Sequence, residues 1–283
     1  MRVTLVSTFD GMGGAGIAAM RLLEGLRRAG HEAEMIVREK KGEDPNVHAV
    51  DYPPPELVEH LFVLHRTRLS EIEARRTPLS RTWFSLPYPG CDLSRTHLVR
   101  QADVINLHWV SEFQSVETIA RLLALPQPLV WTLHDENPFT CGCHYTAGCD
   151  GFREPRRDCP QLLAVSDSWT FEHLQHKIRL FDRRLTLVAP SRWLAERARA
   201  SRVFSRQRVE VIPNALDTGA YFPLGRSEAR RVLGWQVEGV VLLFGSFGYD
   251  DERKGRGPLR SALELALAQG ELRSLAAAGR RGW

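Results

Sequence analysis

The chain has 283 residues, of which 43% are hydrophobic and 25% charged, and it carries a formal net charge of +4. That composition is typical of a soluble globular protein with one large domain or two modest ones, and the charge is too small to indicate a nucleic-acid partner. We see neither an apolar run of about 18 residues, as a membrane-spanning helix needs, nor a secretory signal. Without such a signal, the five cysteines favour free thiols or a metal site over a disulfide framework.

The chain begins with the pattern of a strand–helix–strand unit. Arg2–Ser7 is short, apolar and β-branched, as a buried strand is, and a glycine-rich turn follows over Gly11–Gly16. Apolar residues then recur at helical spacing until Gly30, and Ala33–Val37 is a second predicted strand. Such a unit predicts a parallel sheet.

The alternation of helices and strands continues along the chain. The polar, proline-rich stretch 38–55 is predicted to be a loop. Further apolar segments are predicted strands: Asp103–Leu107, Leu129–Leu133, Leu185–Ala189 and Val209–Ile212. Others are predicted helices: Glu56–Arg75, Val116–Leu125, Trp169–Arg183 and the segment from the N-cap Ser191 to Ala200. We therefore predict an α/β fold with a doubly wound, parallel Rossmann-like sheet over residues 1–213.

Residues 214–283 read as the beginning of a second, similar unit. A short helix is predicted over Ser227–Leu233, a strand over Val240–Phe244 and a helix over Leu259–Ala268. One strand and one helix do not close a parallel sheet. We therefore expect an incomplete second Rossmann-like domain.

The glycine-rich turn is the first candidate site. Gly13 and Gly14 let the backbone approach a ligand closely, and the helix that follows directs N–H groups and a positive dipole end at a phosphate. The alternative is a merely tight turn. The spacing departs from the G-x-G-x-x-G of dinucleotide binders, and no clear acidic residue ends the second strand, which argues against an oxidoreductase.

Two strand ends form the second candidate site. His108 and Trp109 follow one predicted strand, and His134 and Asp135 follow another. In open α/β sheets the ligand crevice lies at the carboxyl ends of the strands, so these side chains should converge there with the glycine turn. They would bind a sugar hydroxyl or position an acceptor, unless the histidines are structural.

A cysteine cluster is the third candidate. Its members are Cys141, Cys143, His144, Cys149 and Cys159. Their spacings occur in sites that bind soft metal ions. They fit a zinc site weakly, because no C-x2-C pair is present. The alternative is a set of reduced, partly buried thiols.

Two basic features complete the candidates. Arg253 and Lys254 precede a predicted helix, where they would neutralise a diphosphate leaving group or simply line a solvated loop. Residues 177–208 contain ten lysines and arginines against only two acids. That basic segment is either a solvated helical face or a surface for anionic lipid or a phosphorylated substrate.

Several segments in combination resemble one enzyme family. The chain is similar to the GT-B, family 4 retaining glycosyltransferases, and looks closest to a bacterial polysaccharide-biosynthesis branch. The resemblance covers about residues 1–260. The segments that carry it are Ser7–Val37, Ile105–Trp109, Thr132–Tyr145 (TLHDENPFTCGCHY), Ala189–Ser201, Val211–Pro223 and Arg253–Gly255.

The resemblance implies sugar transfer from a nucleotide-sugar to a glycan or polyprenyl-linked acceptor, with retention of configuration and without a required cofactor or metal. It implies that Gly13, Gly14, Arg253 and Lys254 bind the donor phosphates. His134 and Asp135 would be catalytic, and the acceptor would lie at His108 and Trp109. Cytoplasmic localisation, with peripheral contact at the inner membrane face, is the matching expectation.

One departure from the family concerns the donor-side domain. The family has a Glu-x7-Glu region there, and the acids after Lys254 are only Glu264 and Glu271, at the wrong spacing. The expectation is a C-terminally truncated donor domain, and therefore impaired transfer by this chain alone. The alternatives are a non-catalytic acceptor-binding half that needs a partner chain and, third, a Rossmann oxidoreductase.

Overall fold

The fold is described from a computed structural model. It describes residues 1–50, 55–79, 83–88, 90–163, 169–235, 241–246 and 252–268. The chain divides into two compact units, Met1–Leu216 and Asp217–Trp283. Among the helices in these ranges, none combines the length and the apolar character needed to span a bilayer.

The first unit alternates strands with helices. Its strands are β1 (Arg2–Phe9), β2 (Glu32–Glu39), β3 (Val47–Ala49), β4 (Val104–Leu107), β5 (Leu129–Thr132), β6 (Leu185–Ala189) and β7 (Arg208–Val211). Its helices are α1 (Gly13–Arg28), α2 (Pro55–Ala74), α3 (His97–Gln101), α4 (Val116–Leu123), α5 (Trp169–Leu180) and α6 (Arg192–Ala200), with a 3-10 turn at Asn137–Phe139.

The seven strands form one open sheet in which every neighbouring pair is parallel. Their order is β3-β2-β1-β4-β5-β6-β7, so the chain reverses its direction of travel across the sheet between β1 and β4. The predicted doubly wound Rossmann-like sheet is therefore confirmed. The crevice at that reversal is where such sheets bind ligands.

Apolar side chains cover both faces of the sheet. On β1, Val3 and Leu5 join a core beneath α1 that includes Leu23, whereas Val6 joins the larger core on the opposite face. Leu107 lies in that larger core and is fully buried. Because side chains alternate across a strand, a strand covered on both faces must be apolar throughout, which is why β1 reads as a continuous apolar run.

The helix ends show the capping residues that the sequence predicts. After α1, Gly30 takes a φ of +82° and its N–H bonds to Arg27, in the left-handed turn that closes many helices. At α6, the hydroxyl of Ser191 accepts a hydrogen bond from Leu194 N at 3.2 Å.

Two short elements were missed and one strand was wrongly predicted. The stretch 38–55 contains β3, and α3 lies where no helix was expected. In the second unit, Val241–Phe244 has no strand structure, and Leu243 is 87% exposed; Val240 lies outside the described residues. No strand in the described part of that unit offers a partner, and an isolated strand is not stable.

The regular secondary structure described in the second unit is helical. It contains α7 (Arg226–Val232), a 3-10 turn at Glu252–Lys254 and α8 (Arg256–Ala268). Its assignment as a partial donor-side domain stays a prediction.

The packing of β4 predicts a stability difference. Leu107→Ala should lower the free energy of unfolding by about 2–5 kcal/mol, because it leaves a cavity beneath a fully buried strand. Leu79→Ala, at a side chain that is 53% exposed, is the matched control and should change stability by about 0.5 kcal/mol or less. Urea unfolding measures both; equal losses would contradict the placement of the core.

Candidate active site

The carboxyl ends of β1, β4 and β5 bring the predicted site residues to one edge. Val6 pairs with Leu107, and Leu107 pairs with Trp131, so the three strands end side by side. The glycine turn follows β1, and the two histidines follow β4 and β5. The convergence expected from the sequence is therefore present in the structure.

The two strand-end histidines contact each other directly. Nδ1 of His108 lies 3.0 Å from Nε2 of His134, and the rings stack with centroids 5.3 Å apart. Burial lowers the pKa of His108 to about 3, helped by His134, and burial lowers the pKa of His134 to about 4. Both rings are therefore neutral at pH 7. A neutral imidazole ring has one nitrogen that donates a hydrogen bond and one that accepts.

The two rings differ in exposure. His108 is only 2% exposed, and its backbone is fixed by bonds to Val6 O and from Trp131 Nε1. His134 is half-buried and is the member of the pair that solvent or a substrate reaches. His108 thus lies behind His134 in the pair, and its acceptor-side position stays a prediction.

Asp135 is a buried anchor. Its Oδ2 accepts a hydrogen bond from Trp109 Nε1 at 3.0 Å and lies 2.6 Å from Nδ1 of His144, and its Oδ1 accepts one from Asn137 N at 2.9 Å. Burial alone would raise the pKa of Asp135, but His144 and the hydrogen bonds outweigh it and hold the pKa below its usual value. The carboxylate is therefore ionised, and its oxygens point to these partners.

A hydrogen-bonded chain extends from Asp135 to Ser85. An ionised carboxylate only accepts, so His144 carries a proton on Nδ1, and its Nε2 lies 2.7 Å from the hydroxyl of Ser85. All three side chains are buried. An antiparallel contact between Phe84 and Cys143 brings the two segments together. Sequence reasoning missed Ser85 and considered His144 only as a weak zinc ligand, since 59 residues separate the two.

A buried lysine supports the loop that follows Asp135. Lys177 Nζ donates to the carbonyl oxygens of Asn137 at 2.6 Å and Thr140 at 3.0 Å. Burial lowers the pKa of Lys177 to about 8, against the opposing influence of the Cys141 thiol.

The basic segment is consequently not one continuous surface. Lys177, its first cation, is internal, and Arg197 forms an ion pair with the buried Glu136. Arg183 and Arg184 remain exposed, the latter paired with Asp182 at 2.8 Å.

The glycine turn leaves the first turn of α1 open. Gly13 takes a left-handed φ of +65°, Met12 provides no side-chain cap, and no acid lies in the first turn. In the part of the chain that the structure describes, no atom beyond the adjacent residues and the helix's own backbone lies within 4 Å of the position that a Cβ would take at Gly13 or Gly14. Asp10 is turned away, because its oxygens accept from Lys41 N at 2.5 Å and Gly42 N at 2.8 Å. Unpaired N–H groups and free space are what an anion requires.

An ion pair across the end of β1 is a further feature that the sequence did not reveal. The half-buried Arg38 donates from Nη1 to Glu112 O at 2.9 Å and to Glu112 Oε2 at 3.1 Å, and its guanidinium lies 5.2 Å from the centre of the Phe9 ring. Glu112 has a φ of +62°, which a residue with a side chain seldom adopts. Such backbone strain is concentrated at functional sites.

Aromatic rings border the same edge. Trp109 stacks on Phe9 with centroids 6.1 Å apart and meets Trp83 edge-on at 6.0 Å. Trp83 is 60% exposed and Trp109 is half-buried. Trp109 is thus both a donor to Asp135 and part of an accessible aromatic surface.

The structure does not support the zinc alternative. In the described part of the chain, no three His, Cys, Asp or Glu side chains are arranged to hold a metal ion. His144 is engaged by Asp135 and Ser85 instead. All five cysteines are free, and the hydrogen bond between Cys141 and Cys143 raises the pKa of Cys141, so its thiol stays protonated at neutral pH.

Arg253 and Lys254 lie in the second unit. Both are exposed on the 3-10 turn that precedes α8, so a ligand can reach their charged groups. Their role in phosphate binding stays a prediction.

Comparison with known proteins agrees with this geometry. The model of one family, described as a glycosyl transferase 4-like domain, matches residues 13–215. A search of curated proteins found no match.

The histidine pair predicts a pH dependence. Since folding holds both pKa values below the ordinary 6.5, protonation favours the unfolded chain. The pair therefore makes its full contribution to the free energy of unfolding above about pH 6.5, and this contribution is lost as the pH falls toward 4. His108→Asn removes one titrating ring and should make that loss shallower, by up to about 1.4 kcal/mol per pH unit.

Urea unfolding between pH 7 and pH 4 measures this loss. His97→Asn, at an exposed side chain, is the matched control for the change from His to Asn, and its slope is compared with that of the parent protein. A parental slope in His108→Asn would show that the ring is not held neutral by the fold.

Proposed function

Because the chain belongs to the glycosyl transferase 4-like family, we propose that it transfers a sugar from a nucleotide-sugar to a glycan or polyprenyl-linked acceptor with retention of anomeric configuration. The observation that supports this most strongly is the convergence at the β1–β4 reversal of an open helix N-terminus with a neutral, half-buried imidazole. The first of these fits a phosphate, and the second fits a sugar hydroxyl.

In this proposal the donor diphosphate lies at the first turn of α1. The N–H groups of Gly13 and Gly14 would bind its oxygens. For the second unit by itself, we propose that Arg253 and Lys254 are phosphate-binding cations, of the kind that neutralise the charge of a leaving nucleoside diphosphate. Fixed donors and cations can supply this stabilisation without a required metal.

His134 would contact the transferred sugar. A neutral ring offers one hydrogen-bond donor and one acceptor to the hydroxyls of the sugar, and His108 orients that ring from behind. Asp135 would act through its neighbours, because its oxygens already accept from Trp109 and Asn137. We therefore reassign it from a catalytic to a positioning residue.

The acceptor would approach along the aromatic border of the site. Trp109 and Trp83 present an accessible apolar surface beside the histidines, which suits the hydrocarbon face of a sugar ring. The exposed Arg183 and Arg184 favour the lipid-linked form, at an anionic membrane surface.

A transfer assay tests the proposal. Labelled UDP-, GDP- and ADP-sugars are offered to the purified chain with either a bacterial lipid extract or water-soluble glycans. Because Glu264 and Glu271 do not match the spacing of the family's donor-binding acids, we expect only slow transfer of label to one acceptor fraction. His134→Ala should lower that rate further by about 100-fold, because a positioned hydrogen bond to the reacting sugar is removed. His48→Ala is the matched control and should keep the parental rate.

The outcomes are distinguishable. Label in the lipid fraction supports the polyprenyl-linked acceptor, and the anomeric proton coupling of the product, measured by NMR, reports retention or inversion. Acceptor binding without any transfer would favour the non-catalytic alternative. Transfer that His134→Ala leaves unchanged would contradict the assignment of the site.

Gly14 offers a second test, in which stability and binding separate. Gly14→Ala should stabilise α1 by about 0.5–1 kcal/mol, but its methyl group enters the space proposed for the diphosphate and should weaken donor binding several-fold. Gly14→Asp should also stabilise the helix N-terminus, but its charge should weaken donor binding about tenfold by repelling the diphosphate.

Thermal unfolding and calorimetric titration with the donor found in the transfer assay measure the two effects. Equal donor affinity in the Ala and Asp variants would place the diphosphate elsewhere.

A further inference from the structure

A large cavity lies in the first unit, apart from the edge that holds His134. Its volume is about 750 Å³, within the range of small-ligand pockets. It is bordered by α2, by α5, by the start of α4 and by Leu86, Pro87 and Tyr88.

Two helix faces form its long walls. On α2 the lining residues Arg68, Ile72 and Arg75 follow the spacing of one helical face, and on α5 the same holds from Trp169 to Arg179. At a rise of about 1.5 Å per residue, the α5 wall is about 15 Å long, so the cavity is elongated.

The arginines and carboxylates that line the cavity carry no net charge, so the lining does not favour an anion. Three arginines are balanced by three carboxylates, those of Glu71, Glu117 and Glu172. Two of these acids are paired within the wall, Glu71 with Arg68 at 2.8 Å and Glu117 with His176 at 3.2 Å. This balance gives a phosphate or diphosphate no net attraction, whereas a neutral ligand with many hydroxyls can bond to carboxylates and guanidinium groups alike.

The apolar part of the lining complements such a ligand. Trp169 and Tyr88 both line the cavity, and Trp169 is held edge-on against Phe84 at 5.6 Å. Leu86 and Leu162 supply an apolar floor. Broad ring faces beside forked polar groups match a sugar ring, which has an apolar face and a rim of hydroxyls.

A buried polar atom in the wall lacks a partner. His173 is 8% exposed, and its Nδ1 makes no hydrogen bond in the part of the chain that the structure describes. Burial lowers the pKa of His173 well below its ordinary value, so the ring is neutral. Buried polar atoms are nearly always paired, so this nitrogen points to a ligand or ordered water at this position.

The cavity also approaches the candidate active site. A second, small cavity of about 30 Å³ shares Leu86 and His173 with the large one and reaches Ser111 and Asn137, beside Trp109 and Asp135. Its volume is sufficient for about two water molecules. The large cavity therefore lies directly behind the active-site loop.

We propose that this cavity binds a short neutral oligosaccharide, as the part of the acceptor that is remote from the reacting hydroxyl. The choice of acceptor as the source of the ligand rests on the proposed glycosyl transfer. Trp169 stacks on one ring, and His173 and Arg179 bond to hydroxyls.

Saturation-transfer NMR on the full chain tests the site without any donor. The probes are linear neutral trisaccharides of glucose, galactose, mannose and N-acetylglucosamine, with geranylgeranyl diphosphate as an anionic-lipid probe. We expect at least one trisaccharide to bind, and Trp169→Ala to weaken its binding about tenfold or more, as the loss of a central aromatic contact does. Trp193→Ala, at a tryptophan that is 55% exposed outside the cavity, is the matched control and should bind as the parent does.

A second variant covers the case in which Trp169→Ala fails to fold. Arg179→Ala removes an exposed wall residue and should weaken binding several-fold, by about the contribution of one hydrogen bond to a charged group. Three results would overturn the proposal: no trisaccharide binds, Trp169→Ala and Arg179→Ala both bind as the parent does, or only geranylgeranyl diphosphate binds.

Failure of the site and failure of the proposed function are separable. If trisaccharide binding depends on Trp169 but the chain transfers no sugar, the cavity is supported as a binding site and the proposed glycosyl transfer is contradicted. If the chain transfers sugar but binds no trisaccharide, the proposed glycosyl transfer is supported and the cavity is contradicted as a binding site.

Discussion

The buried carboxylate of Asp135 organises the candidate active site. A buried charge is costly unless donors surround it, so the fold must deliver Trp109 Nε1, His144 Nδ1 and the Asn137 amide to this point. These donors come from the end of β4 and from the loop after β5. His134 precedes Asp135 directly, so the same contacts set where its ring can lie. Any change that frees the carboxylate should therefore disturb the aromatic border and the histidine pair together.

The fold was largely readable from the sequence, since parallel strands buried on both faces are continuous apolar runs. β1, β4, β5 and β6 carry that signal clearly. β3 does not, because it has three residues of which only Val47 is buried, and α3 is too short to show a helical period. The error at Val241–Phe244 has the opposite cause: the local pattern is that of a strand, but the described residues supply no neighbouring strand.

The site was readable only in part. That His108 and His134 meet follows from their places at adjacent parallel strand ends, which a sequence can reveal. Side-chain direction cannot be read in this way: Asp135 faces His144 and Ser85, and these partners come from segments that pair only in three dimensions. Lys177 shows the same limit, because its charge suggests a surface, whereas its amine lies inside the protein against two carbonyl oxygens.

Photoaffinity labelling tests the central claim, that sugar transfer occurs at the carboxyl edge of the first sheet. A nucleotide-sugar with a diazirine on the sugar is irradiated with the chain, with and without excess unlabelled donor, and the modified peptides are mapped by mass spectrometry. We predict competable label in the peptides that contain His134 and the turn at Gly13. Label that is absent from both peptides, and found instead on the cavity walls around Arg68 or Trp169, would contradict the account.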